Sequence, residues 1–391
     1  MQNQAKDIGP SVSNELPQTR SLPVEAFHAW EAFFTRLVFA GLDWGDTTIA
    51  LEGFKPGAPG KVDWRDWHDR WLKLGKDYEQ SAEKALAAGH HLTARQWLLK
   101  AAAAGHFAEF MYFDNAPLKR ETRMWVTRVF HRAIPYLEYP TERLTVAYKG
   151  HALPAYFMRP ATPGPHPCVI LVNGLDSAKE VELFVFAQTF LARGMAVMLF
   201  DGPGQGELIG VEPLTPDFEH VVGAVLRQMR ANSGIDQSRI GIFGVSYGGY
   251  LASRAAAFHP QEIKACINLA GTFDLENYLS INPRVRTDFR FVFKQKDDEA
   301  MNRLAHERLH LNDAPALTSP LLCIHGEQDN VFPFVACKRF QEWARGGFEL
   351  ISYPRERHVS TNYFADFIPR FGDWMAQKLG ATAPLPVSAR R

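Results

Sequence analysis

The sequence predicts an α/β fold: a doubly wound, mainly parallel sheet with a helical domain before it and a lid insertion within it. Three observations carry this. Six short apolar runs recur between helix-length segments: CVILV (168–172), AVMLF (196–200), IGIFG (240–244), ACINLA (265–270), LLCIH (321–325) and FELISY (348–353). They are apolar on both alternations, as strands buried on both faces must be. The front of the chain instead carries seven of the nine tryptophans, some at helical spacing. One interval, between ACINLA and LLCIH, runs to about fifty residues, far more than a strand-to-strand crossover needs.

Residues 1–24 are polar and read as a flexible tail. They lack the apolar stretch of a signal peptide. Residues 25–140 read as a helical domain. Trp64, Trp67, Trp71 and Tyr78 fall on one helix face, which predicts core. Gly89 reads as a helix stop, and Thr93 as the N-cap of an Ala-rich helix over 94–113. The basic residues Lys119, Arg120, Arg123, Arg128 and Arg132 read as a solvated helix face. Residues 141–380 read as the sheet domain, opening with a hairpin (RLTVAY, ALPAYFM) turned at Lys149-Gly150. Within it, 275–315 is the lid, and 381–391 is a second flexible tail.

Composition sets limits. The 391 residues hold 43 Lys+Arg and 43 Asp+Glu, for a formal net charge of +0. That balance lacks the footprint of a general nucleic-acid binder. With 46% hydrophobic and 22% charged residues, the chain is an ordinary globular one. No run reaches the roughly 18 apolar residues of a membrane span. Cys168, Cys266, Cys323 and Cys337 are scattered, with no CxxC pair, which fits a reducing, cytoplasmic setting. No HExxH or paired His/Cys spacing implies a metal, and no cofactor is expected. The loop Asp201-Gly202-Pro203-Gly204-Gln205-Gly206-Glu207 lacks dinucleotide and P-loop spacing and reads as a structural turn.

The chemistry centres on Gly244-Val245-Ser246-Tyr247-Gly248. It follows a strand and precedes a helix, the setting in which G-x-S-x-G forms a nucleophile elbow. The turn is tight enough to require Gly244 and Gly248 beside the strained serine. Ser246 needs a base, and the base an orienting carboxylate, in the order Ser, acid, His. Asp329 lies in the turn after LLCIH, with Glu327 as the rival acid nearer the strand. His358 follows FELISY and precedes the last helix. Twelve of the other histidines lie before the acid loop, in the wrong order. The oxyanion donors are assigned to the backbone N–H groups of Tyr247 and Leu175, the latter in the loop Asn173–Ser177.

At these residues the chain resembles the α/β-hydrolase superfamily. More narrowly it resembles the group holding 2,6-dihydroxypseudooxynicotine hydrolase and the FrsA-like proteins. VNGLDSAKE (172–180), LFDGPGQGE (199–207), GVSYGGY (244–250) and HGEQDNVFP (325–333) carry the likeness, with DWRDWHDRW and AGHHLTARQWLLKAA in the helical front. The resemblance implies that the helical domain packs over the active site, that the protein is a homodimer, and that a carbon–carbon bond in an aryl ketone is cleaved. It also implies an additional catalytic glutamate, for which Glu276, next to Asn277, is the nearest candidate.

Three functions remain open on the sequence. The first is a Ser-His-Asp hydrolase cleaving a C–C bond beside a carbonyl in a small aromatic ketone or diketone. The second is the same triad on an ester, thioester, lactone or amide. The third is a non-catalytic regulatory protein on a hydrolase scaffold.

Overall fold

The computed structural model describes residues 33–55 and 62–382. The predicted tail at 1–24, and all but the first two residues of the one at 381–391, lie outside them.

Residues 33–39 are helical, and the helices Trp44–Ala50, Trp64–Ala87, His91–Glu109 and Ala116–Ala133 follow. Asp63 caps the second of these by accepting the N–H groups of Arg65 and Asp66. Gly89, at φ +75°, ends it. The next helix starts at His91, without a side-chain cap on His90. Thr93 therefore lies inside the first turn and does not cap, which moves the predicted start. Trp67 and Trp71 are fully buried, and Trp125 wedges between Gly75 and Gly105, where any larger residue would meet its ring.

The basic segment departs from expectation. Lys119 and Arg123 are buried, 1% and 2% exposed. Glu109, at the end of the preceding helix, takes both. Lys119 Nζ reaches Glu109 Oε2 at 2.5 Å and the Glu109 carbonyl at 2.7 Å, and Arg123 binds the other carboxylate oxygen. A buried cation persists where such partners replace its water.

The sheet has eight strands: β1 Thr141–Tyr148, β2 His151–Met158, β3 His166–Val172, β4 Ala196–Phe200, β5 Ile235–Val245, β6 Ile263–Leu269, β7 Leu321–Gly326 and β8 Phe348–Tyr353. Their spatial order is β1-β2-β4-β3-β5-β6-β7-β8. The β1–β2 hairpin and the β2–β4 pair are antiparallel, and the rest of the sheet is parallel. Period-2 alternation divides the core. Val169 and Leu171 join the face covered by the helical front and the helices Glu182–Leu191 and Phe364–Leu379. Cys168, Ile170 and Val172 join the face covered by Phe218–Arg230 and Tyr247–Phe258. The four cysteines are free and buried. No helix among the described residues is long and apolar enough to cross a membrane.

The helices Pro283–Val292 and Asp298–Arg308 fill the long interval between β6 and β7. Phe289 of the first, and Phe293 directly after it, pack on Tyr247, beside the serine, with ring centroids 5.2 and 6.1 Å away.

Candidate active site

β5 ends at Val245 and a helix begins at Tyr247, leaving Ser246 alone in the turn at φ +58°, ψ −132°. A non-glycine residue there is strained and persists only where its surroundings enforce it. They do so by close approach. A Cβ on Gly248 would stand 2.5 Å from the carbonyl oxygens of Val172 and Asn173, and one on Gly244 would fall onto the Gly248 carbonyl. The Ser246 N–H also donates to Leu269 O at 2.7 Å, tying the turn to β6.

Three predicted side chains meet. Ser246 Oγ lies 2.8 Å from His358 Nε2, and His358 Nδ1 lies 2.8 Å from Asp329 Oδ2. Asp329 is held by its own loop, where Oδ1 accepts the N–H groups of Val331 and Phe332, each at 2.8 Å. Burial would raise the Asp329 pKa, but the facing His358 charge and hydrogen bond outweigh it, and the carboxyl titrates below its ordinary range. His358 is reached through a tight reversal, with Val359 and Ser360 both at positive φ. Glu327, the rival acid, turns outward to Ser352 Oγ at 2.8 Å.

Of the predicted donor residues, Tyr247 follows the serine directly and Leu175 lines the same cavity. Tyr247 is the first residue of its helix, so its N–H has no intrahelical acceptor. In the loop after β3, the Gly174 N–H is taken by Ser177 Oγ at 2.8 Å. Gln205 Nε2 clamps the same loop through the carbonyls of Asn173, at 2.7 Å, and Gly174, at 3.1 Å. The glycine-rich turn thus shapes this loop, which presents Leu175 to the cavity beside Ser246.

Glu276 is not brought to the serine. Its side chain is 55% exposed and points toward Arg339, 3.9 Å away, and it does not line the cavity.

That cavity measures about 830 Å³. Ser246 and His358 lie in its wall with Phe33, Phe39, Phe186, Phe332 and Phe364. The helical front closes it through charges that sequence reasoning passed over. Arg36 Nη1 binds Asp176 Oδ2 at 2.8 Å, and its Nε binds Glu182 Oε1 at 2.8 Å. His106 Nε2 meets the same Glu182 oxygen at 2.8 Å. Burial would raise the Glu182 pKa, but His106 and Arg36 hold it well below the usual range. Burial lowers the His106 pKa to about 4, so the ring is neutral at pH 7. Nothing in the local sequence marks these residues, because their partners are remote in the chain.

A second buried charge cluster underlies the loop. Lys179 Nζ binds Glu180, Asp201 and Glu207 at 2.5, 2.6 and 2.6 Å. The three carboxylates lie close enough to suit a cation, and the ammonium occupies that role itself.

The sheet order and the elbow at its centre define an α/β-hydrolase. The FrsA-like esterase family matches residues 62–280, and the prolyl oligopeptidase family matches residues 184–382. A 2,6-dihydropseudooxynicotine hydrolase from Paenarthrobacter nicotinovorans is 33% identical over 76% of this chain and 78% of its own. The crystal structure of a 2,6-dihydroxy-pseudo-oxynicotine hydrolase superposes with TM-score 0.80 at 30% identity, covering 90% of this chain and 98% of that one. The 20-hydroxy-prefusarin hydrolase of Gibberella moniliformis is 32% identical over 61% of this chain, which spans 58% of that relative's length. The chain belongs to the FrsA-like family of α/β-hydrolases, and it is a hydrolase.

Proposed function

We propose that the protein is a Ser-His-Asp hydrolase that cleaves a C–C bond adjacent to a carbonyl in a small aromatic ketone or diketone. The observation that carries the triad is the continuous 2.8 Å contact chain from Ser246 Oγ through His358 to Asp329. Asp329 accepts from Nδ1–H and so leaves Nε2 as the base. His358 takes the Ser246 proton as Oγ attacks the carbonyl carbon. The Tyr247 and Leu175 N–H groups hold the oxyanion, each such donor being worth about 2.7–4 kcal/mol in the transition state. After the acyl-enzyme forms, His358 activates the water that cleaves it.

The phenylalanine-lined cavity supports a mostly apolar, aromatic substrate. The resemblance to the pseudooxynicotine hydrolase group supports a carbon leaving group. Substrate choice is assigned to the helical front and the insert between β6 and β7, since both reach the cavity wall, through Arg36 and Val285. The second reading, an esterase, has the FrsA-like family description in its favour. The acyl half of the chemistry is common to both.

A panel of aryl ketones, diketones and p-nitrophenyl esters separates them. Turnover of a ketone that disappears in Ser246→Ala supports the first reading. Turnover of esters alone supports the second. Turnover retained by Ser246→Ala refutes the mechanism.

A further inference from the structure

A carbon leaving group is a far stronger base than an alkoxide, so its expulsion calls for an acid on the leaving side of the cavity. Asp288 is a carboxyl group in the wall of that cavity. It lies on the helix Pro283–Val292, is 4% exposed, and lines the same cavity as Ser246 and His358. Its Oδ1 is buried and has no hydrogen-bond partner among the described residues. Buried polar atoms are nearly always paired, so an orphaned carboxyl oxygen on a cavity-lining residue is unusual, and burial without a partner is tolerated best by the uncharged acid.

The charges facing Asp288 come from every side. Asp176 belongs to the loop after β3, Arg36 to the helical segment 33–39, Lys119 to the helix Ala116–Ala133, and Arg284 to its own helix one turn earlier. Two of the cations have other engagements. Arg36 is held by Asp176 and Glu182 and Lys119 by Glu109, while Arg284 stacks over Trp64 and Phe113 with its Nε and Nη2 unpaired among the described residues. Burial, with the nearby Asp176 carboxylate, pushes the Asp288 pKa well above the usual range, which favours the protonated acid.

We propose that Asp288 is the acid for the leaving half of the substrate. The proposal rests on the C–C reading above. The Ser246 Oγ–carbon bond forms as the Oγ proton passes to His358. The tetrahedral oxyanion then re-forms the carbonyl, and the C–C electron pair leaves with the departing fragment as a carbanion or enolate. The Asp288 O–H protonates that fragment and becomes a carboxylate, near the positive charges of Arg36, Lys119 and Arg284. The proton on His358 returns to Asp288 through water, leaving His358 neutral for deacylation. Protons balance over the cycle.

The test compares Asp288→Asn and Asp288→Glu with the wild type on two probes, 1-phenyl-1,3-butanedione and p-nitrophenyl acetate. Nitrophenolate needs no proton to leave. Asp288→Asn is expected to lower diketone turnover by about 100-fold or more and ester turnover by less than about fivefold. Asp288→Glu should restore part of the diketone activity. The wild-type diketone rate should fall on an alkaline limb that Asp288→Asn lacks. Equal losses on both probes, or an unchanged diketone rate, would overturn the assignment while leaving the C–C reading intact. A wild type that turns over the ester but none of the aryl ketones and diketones removes both.

Discussion

Replacing Asp329 with asparagine should disable His358 while leaving the site's architecture in place. Asp329 Oδ1 accepts two backbone N–H groups at 2.8 Å, and an asparagine carbonyl can keep both. The amide NH₂ must then occupy the Oδ2 position, facing His358 Nδ1. It donates where the carboxylate accepted, which forces the imidazole into the tautomer with hydrogen on Nε2. That hydrogen points at Ser246 Oγ, and the base has no lone pair for the serine proton. A wrong-tautomer triad loses about 10⁴ in kcat. At about 1.36 kcal/mol per decade, that corresponds to about 5.4 kcal/mol of transition-state stabilisation. KM should change little, because Asp329 does not line the cavity. Steady-state hydrolysis of p-nitrophenyl acetate, with a thermal melt to verify folding, measures both effects. A folded variant that retains more than about a tenth of wild-type kcat would refute the orienting role of Asp329.

Other substitutions probe other parts of the argument. Ser246→Ala should abolish both turnover and labelling by a fluorophosphonate; a wild type that resists labelling would favour a non-catalytic protein. Gly248→Ala puts a methyl group 2.5 Å from two carbonyl oxygens and should destabilise the fold by about 1–3 kcal/mol while depressing kcat, read by denaturant melts and kinetics. Glu109→Gln leaves two buried cations without their carboxylate and should cost about 3–5 kcal/mol in the same melts; a loss under about 1 kcal/mol would show that the cluster is not carrying the helical front. The Asp329 carboxyl titrates below its unfolded value, so its stabilising contribution is complete above about pH 4 and is lost as pH falls through the native pKa. The stability gap between wild type and Asp329→Asn should therefore narrow in acid, and a gap that widens there would contradict the assigned direction.

The sheet was legible because its central parallel strands must be apolar on both faces, as AVMLF is; FELISY occupies the range read for it, but it is the edge strand and is part-buried or exposed along most of its length, so burial on both faces does not hold there. The meeting of Ser246, His358 and Asp329 as a candidate site was legible because the elbow needs glycines at fixed offsets and the fold imposes an order on its partners. Residues whose state depends on remote partners were not legible. Lys119 and Arg123 look like any charged helix face until Glu109 and His106 are placed beside them. Asp288 reads as one more charge in a charged insert, and only the packing of that insert over the elbow turns it inward. Glu276 was chosen by proximity in the chain to ACINLA, and proximity in sequence does not fix which wall a side chain reaches.

The cavity's electrostatics sharpen the significance of the zero net charge. Its wall carries Arg36, Asp176, Glu182 and Asp288, which would be a strongly polar set if each acted alone. Arg36 is shared between Asp176 and Glu182, His106 adds a neutral donor to Glu182, and burial favours the protonated form of Asp288. With Arg355, Glu356 and Arg357 also in the wall, three cations face the three anions Asp176, Glu182 and Glu356, and mixed signs project less field across the site than charges of one sign. A substrate anion would therefore gain little on entering, while losing its hydration to phenylalanine surfaces. A neutral aromatic carbonyl compound loses less and gains apolar burial. The same cancellation leaves the Asp288 proton as a polar contact available to it, a contact that matters most when the leaving atom is carbon.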